Sequence, residues 1–81
     1  MNAVSESLKK EVETGLNRLE TLRDEVRVRL HLAGMEIKDE WSKLEPHLLD
    51  LEKMALDVSA PTREALSRGL ERLEMLRKKL D

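Results

Sequence analysis

The sequence contains no cysteine, phenylalanine or tyrosine, and only one tryptophan among its 81 residues. The absence of cysteine excludes disulfides, thiolate metal sites and thiol nucleophiles. The shortage of aromatic residues and of alternating β-branched runs argues against β-strands. No apolar run approaches the roughly 20 residues that a membrane-spanning helix needs. Residues 1–10 also lack the apolar segment of a signal peptide, so we expect a cytoplasmic protein.

Neither sign of charge dominates, because 15 Lys and Arg face 17 Asp and Glu, for a formal net charge of −2. The bases are interleaved with acids and no aromatic residue accompanies them, which argues against nucleic acid as a partner. Charged and hydrophobic residues each make up 40% of the chain. A composition rich in Glu, Lys, Arg and Leu is typical of long helices and coiled coils, so we expect an all-α protein.

One apolar stripe keeps the phase of a single helix over more than half of the chain. Its members follow one another at gaps of three or four residues: Leu8, Val12, Leu16, Leu19, Leu22, Val26, Leu30, Ala33, Ile37, Trp41, Leu44, Leu48, Leu51 and Ala55. The mean gap is about 3.6 residues, which is the α-helical period. The stripe predicts a long helix over residues 5–57, with Gly34 tolerated inside it and a kink at Pro46.

Turn and cap residues appear together only after this stripe, in the segment that contains Ser59, Pro61 and Thr62. They predict a turn at residues 58–61 and a shorter helix over residues 62–80. The short link makes the two helices antiparallel neighbours, so that facing positions sum to about 120. This register predicts that Leu51 faces Gly69.

Charged residues of the two predicted helices agree with the antiparallel register, because acids before the turn face bases after it. The register places Lys79 near Glu40, Arg63 near Asp57 and Arg68 near Glu52. Each exposed pair adds only about 0–1 kcal/mol, but the pattern disfavours the wrong register.

The short helix can cover only the part of the stripe beyond about Trp41. Each large side chain left in water forgoes about 1.5–3 kcal/mol, so we expect self-association, most simply as a two-fold homodimer in an elongated helical bundle or coiled coil. Val28, Leu32 and Met35 form a second apolar row on the opposite face. The residues predicted for the interface are Leu8, Val12, Leu16, Leu19, Leu22, Val26, Val28, Leu30, Leu32, Met35, Ile37 and Trp41.

An alternative fold remains open at this point. If the chain turns at Pro46 or near Gly34, the first predicted helix divides in two. The same apolar residues would then form a compact three-helix bundle within one chain.

No residues combine into a catalytic, metal or cofactor site. His31 and His47 are sixteen positions apart and point to different sides of the predicted helix. The serines lack a His-Asp constellation, and the glycines form no phosphate-binding loop. We therefore expect a non-enzymatic helical interaction or scaffold protein without a cofactor.

Two other functions fit the same pattern. Leu8, Leu19, Leu30 and Trp41 are spaced by eleven residues, a period that is similar to that of apolipoprotein-type helices, which lie on lipid surfaces. The similarity is one of period alone, and the acidic net charge weakens this alternative. The chain could instead be a small regulatory module that docks a partner helix.

Overall fold

The chain folds into three α-helices, according to a computed structural model that describes the backbone of residues 3–80 and the side chains of residues 6–80. The helices are α1 (Ala3–Arg29), α2 (Met35–Met54) and α3 (Ala60–Lys79). A short 3₁₀ helix, Leu30–Leu32, follows α1 directly. Residues 3–80 contain no strand. The prediction of an all-α helical bundle is confirmed.

The three helices share one apolar core, and each contributes side chains to it at helical spacing. The buried hydrophobic side chains are Val12, Leu19, Leu22, Val26, Trp41, Leu44, Leu48, Leu51, Leu66, Leu73 and Leu76. Both α1 and α2 contribute the predicted stripe, and α3 packs against both of them. The resulting bundle measures 49 × 19 × 15 Å and has a radius of gyration of 13.9 Å. A typical globular chain of this length has a radius of about 12 Å, so the bundle is elongated.

The chain reverses between α1 and α2, so the prediction of one helix over residues 5–57 is wrong. Ala33 has φ −83° and ψ 152°, and Gly34 has φ −73° and ψ 170°, which are extended conformations. Reversal here lets α2 and α3 cover the apolar side of α1 within one chain, which a continuous helix cannot do. The structure is therefore the compact three-helix alternative, with its first turn near Gly34.

Pro46 lies inside α2 without ending it, which confirms that the helix continues through this residue. The second turn begins earlier than predicted, because α2 ends at Met54 and α3 begins at Ala60. Ser59 is the N-cap of α3, and its hydroxyl oxygen accepts a hydrogen bond from the Thr62 backbone N–H at 3.3 Å. Pro61 lies in the first turn of α3, where its missing N–H costs no helical hydrogen bond.

The predicted register between α2 and α3 is observed. Lys79 donates to both carboxylate oxygens of Glu40, at 2.9 and 3.1 Å. A Cβ atom added to Gly69 would meet the Leu51 side chain, as the register requires. Other predicted charge pairs are not observed among the described residues. Because α1 packs against α3, an acidic residue of α1 takes the place of a predicted partner. Arg63 pairs with Glu11 of α1 instead of Asp57.

Candidate interaction surface

Most residues that were predicted to form an interface lie in the core of the chain itself. Val12, Leu19, Leu22, Val26 and Trp41 are buried there, and Leu16, Leu30 and Ile37 pack against the same core while partly exposed. Leu8 is half-buried. The apolar side of α1 therefore has partners on α2 and α3, and the uncovered arm expected from the sequence does not exist in this structure.

The three remaining predicted residues stay exposed around the first turn. Val28 is 72% exposed near the end of α1, Leu32 is 95% exposed in the 3₁₀ helix, and Met35 is 75% exposed at the start of α2. We call these three residues the first-turn patch. The sequence placed them on the face opposite the main stripe, and their exposure is consistent with that placement. The sequence did not reveal that they alone would remain outside.

A groove lies beside Leu32 at the same end of the bundle. Leu32, Ile37 and Leu80 supply its apolar lining, and the cationic residues Arg29 and Lys79 also line it. Ile37 and Leu80 pack against the core as well. The apolar surface at this end therefore extends from the solvent-exposed Leu32 toward the interior of the bundle.

Exposed hydrophobic side chains elsewhere are more scattered. Leu56 is 89% exposed in the second turn, and Met75 is 63% exposed on α3. Met54 and Val58, which flank Leu56 in sequence, are each only 41% exposed. The side chains of the first-turn patch are thus more exposed on average than those of the second turn, where only Leu56 is comparably exposed and offers a leucine for comparison.

Ion pairs connect α1 to α3 in a parallel arrangement. Arg63 donates to Glu11 at 3.0 Å, Arg77 lies 2.9 Å from Glu25, and Arg18 pairs with Glu74. The partners on both helices occur in the same order along the chain, which fixes the relative direction of the helices. Because the side chains of these pairs are more than a third exposed, each pair contributes little stability and mainly sets orientation and register.

Two further ion pairs connect α1 to α2. Arg23 pairs with Glu52, and both side chains are mostly buried. Arg27 donates to Glu45 at 2.8 Å, and this hydrogen bond raises the pKa of the exposed Arg27 guanidinium. These pairs occur in opposite order along the two helices, as an antiparallel arrangement requires. Together with the pairs to α3, they place charged residues of α1 against oppositely charged residues on both α2 and α3.

In the described part of the chain, no group of titratable side chains is arranged as in a catalytic or metal-binding site. His31 and His47 are both exposed and lie on different elements. The described residues include no group of three or more His, Cys, Asp or Glu side chains that could hold a metal ion. Within the described residues, no helix combines the length and apolar character needed to cross a membrane.

The fold and the surface together define a three-helix bundle that carries an apolar patch at its first turn. No protein-family model, curated protein or solved structure matches the chain. Any function must therefore be argued from the surface and from the way the helices are connected.

Proposed function

We propose that this protein is a non-enzymatic helical interaction protein that self-associates around its first turn, most simply as a two-fold homodimer. The observation that carries the proposal is the exposure of Val28, Leu32 and Met35, at 72%, 95% and 75%, within eight positions of sequence. Exposed apolar clusters are typical of interaction sites. A two-fold contact brings the same patch of both copies together, so a single patch serves both partners.

The small size of the first-turn patch limits the affinity that it can provide alone. Complete burial of three such side chains contributes about 1.5–3 kcal/mol each. Lost translational and rotational freedom opposes association by roughly 4–15 kcal/mol. Closed bundles that met only through this patch would therefore associate weakly. A tight dimer needs a larger contact, typically about 20–30 residues from each partner.

Sedimentation equilibrium over a wide range of protein concentration tests the proposal. We expect a reversible dimer, and we expect the triple variant Val28→Thr, Leu32→Gln, Met35→Gln to weaken it at least about tenfold. Far-UV circular dichroism should show that the variant keeps its helices. A chain that stays monomeric up to millimolar concentration would refute self-association.

Leu56→Gln is the matched control for the triple variant. Leu56 is as exposed as the patch residues but lies in the second turn, at the other end of α2. We expect its substitution to leave the association constant unchanged. An equal loss of association in both variants would show that general surface hydrophobicity, rather than the first turn, drives the contact.

The cellular location stays a prediction. We propose a cytoplasmic location, and fractionation of cells that express a tagged form of the chain would test it. Recovery of the chain in a secreted or membrane fraction would contradict this part of the proposal.

A further inference from the structure

The two turns of the bundle differ in the side-chain hydrogen bonds that hold them. In the second turn, Ser59 caps α3, and the Thr62 hydroxyl, on a residue that is only 2% exposed, donates to the Met54 carbonyl oxygen at 3.4 Å. In the first turn, the N-cap of α2 is Gly34, which makes no side-chain cap hydrogen bond. Residues 3–80 contain no positive φ angle, so no special glycine conformation holds this reversal either. The first turn therefore lacks the side-chain capping that fixes the second, and its cap bonds are backbone ones, from Ala33 N–H to the Leu30 carbonyl oxygen and from Lys38 N–H to the Gly34 carbonyl oxygen.

The sequence of the first turn is compatible with a helix. Leu30, Ala33 and Ile37 keep the spacing of the apolar stripe through the turn. A Cβ atom on Gly34 would meet no atom within 4 Å, so there is room for a side chain at this position. Rotation of Ala33 and Gly34 from extended to helical ψ would join α1 and α2 into one helix over residues 3–54. At 1.5 Å per residue its length would be about 78 Å.

Such an opening would separate α1 from its partners and leave two complementary surfaces. One is the apolar side of α1, with Val12, Leu19 and Val26 at its centre. The other is the groove between α2 and α3 that α1 occupies in the closed bundle. A second open copy presents the same two surfaces, and its α1 fits the groove residue for residue.

We infer that two copies of this chain associate by exchanging α1, with residues 30–34 as the hinge. The inference rests on the proposed self-association and names its mode. The α1 helix of each copy packs on α2 and α3 of the other, so ion pairs such as Arg63–Glu11 and Arg27–Glu45 re-form between copies. Both hinges lie near the two-fold axis of the exchanged dimer.

Exchange forms a contact between copies that is much larger than the first-turn patch. The contact between copies includes the α1 core face and, among the described residues, the ion pairs of α1 with α2 and α3 given above. The free energy of these contacts is already present in the closed monomer. The equilibrium is therefore set mainly by the conformation of the hinge and by the freedom lost on association, and small changes at Gly34 should move it strongly.

Substitutions at Gly34 test the hinge without touching the core. Proline suits the observed φ of −73° at Gly34 and the extended conformation of Ala33 before it. It disfavours a continuous helix through the hinge, because its ring clashes with the preceding turn and it lacks the N–H of a helical hydrogen bond. We expect Gly34→Pro to weaken dimerisation by more than tenfold. Gly34→Ala favours the helical hinge and should strengthen the dimer on the order of tenfold. Equal dimerisation of both variants and wild type would overturn the inference.

Cysteine pairing gives a second test, because the natural chain has no cysteine. A Cβ atom on Gly15 would lie 3.7 Å from the Leu66 Cβ, within the range of about 3.5–4.5 Å that disulfides require. Gly15→Cys and Leu66→Cys are made in separate chains, which are mixed, unfolded, refolded together and oxidised. We expect a disulfide-linked heterodimer, because α1 of one chain then packs on α3 of the other. In closed bundles Leu66 is 2% exposed, so a cysteine there is shielded from other molecules.

Leu73→Cys is the matched control for Leu66→Cys. Leu73 is also buried on α3, but it lies two helical turns further along, at roughly 10 Å. We expect no disulfide between Gly15→Cys and Leu73→Cys chains, and a disulfide at equal yield would mean nonspecific oxidation and overturn the inference. Because Leu66→Cys removes a core leucine, the Gly34 variants serve as the independent measurement if that chain fails to fold.

The outcomes separate this inference from the proposed function. A monomer at every concentration contradicts both. A dimer that is sensitive to the first-turn patch, but insensitive to Gly34→Pro and unable to form the cross-chain disulfide, supports self-association of closed bundles and overturns only the exchange.

Discussion

Alanine substitutions at Gly15 and Gly69 should have different effects on stability. Gly15 and Gly69 both lie inside helices, where glycine costs about 1 kcal/mol relative to alanine. A Cβ atom at Gly15 would lie 3.6 Å from Leu66 Cδ1, an ordinary van der Waals contact. At Gly69 the added atom would overlap Leu51 Cδ1, and Leu51 is itself only 8% exposed. The helical preference is the same at both sites, so packing decides the sign.

The structure sets the expected magnitudes. Gly15→Ala should raise the free energy of unfolding by about 1 kcal/mol. Gly69→Ala gains the same amount but pays for overpacking, which typically costs about 1–3 kcal/mol, so its net effect should range from neutral to about 2 kcal/mol destabilising. For a domain of this size, 1 kcal/mol corresponds to a shift of about 4–8 °C in Tm.

Urea unfolding monitored by far-UV circular dichroism and Trp41 fluorescence measures both variants. The protein concentration must be the same throughout, because self-association adds to apparent stability. Leu51→Val, which removes the overlapping methyl group, should reduce the penalty of Gly69→Ala in a double-mutant cycle. If Gly69→Ala stabilises the protein as much as Gly15→Ala, the packing of α3 against α2 described above is incorrect.

Three further predictions test other parts of the fold. Leu48→Ala should cost about 2–5 kcal/mol of unfolding free energy, because Leu48 is fully buried, whereas Leu49→Ala at its half-exposed neighbour should cost less than about 1 kcal/mol in the same urea titration. Ser59→Ala should cost about 1 kcal/mol in thermal unfolding through loss of the α3 cap, and a neutral result would refute that cap. Glu40→Lys should cost no more than about 1 kcal/mol. The double variant Glu40→Lys, Lys79→Glu should regain this stability at low salt but not at high salt if the pair is electrostatic.

The sequence was sufficient to predict those features that local chemistry determines. The apolar stripe identified the core residues, and Ser59 and Pro61 marked the start of the last helix within two residues. The phase of the stripe across Pro46 correctly indicated a continuous helix there. The antiparallel register of α2 and α3 followed from the short link between them, and the Lys79–Glu40 pair confirms it.

The first turn could not be predicted from local chemistry, because none of its residues favours a reversal of the chain direction. Leu30, Leu32 and Ala33 are compatible with a helix, and Gly34 adopts a conformation that other residues can also adopt. The reversal is a property of the whole chain, since it is the burial of the α1 stripe on α2 and α3 that stabilises it. The same burial is available from a second chain. The sequence was therefore compatible with both a dimer and a three-helix monomer. It could not show whether the apolar residues of α1 are buried between two chains or inside one.

The pairing of α1 with α3 has a consequence for the order in which the helices assemble. Leu51 and Gly69 meet across α2 and α3 at a separation of 18 positions (51 to 69), whereas Arg63 and Glu11 are 52 positions apart. Loop closure over the longer separation costs about 1 kcal/mol more, so the α2–α3 hairpin should form before α1 docks on α3. Stopped-flow refolding should give a higher φ-value for Leu73→Ala than for Val12→Ala, and the reverse order would refute this sequence of events. During translation, α1 leaves the ribosome first but finds its main partner only when α3 has emerged.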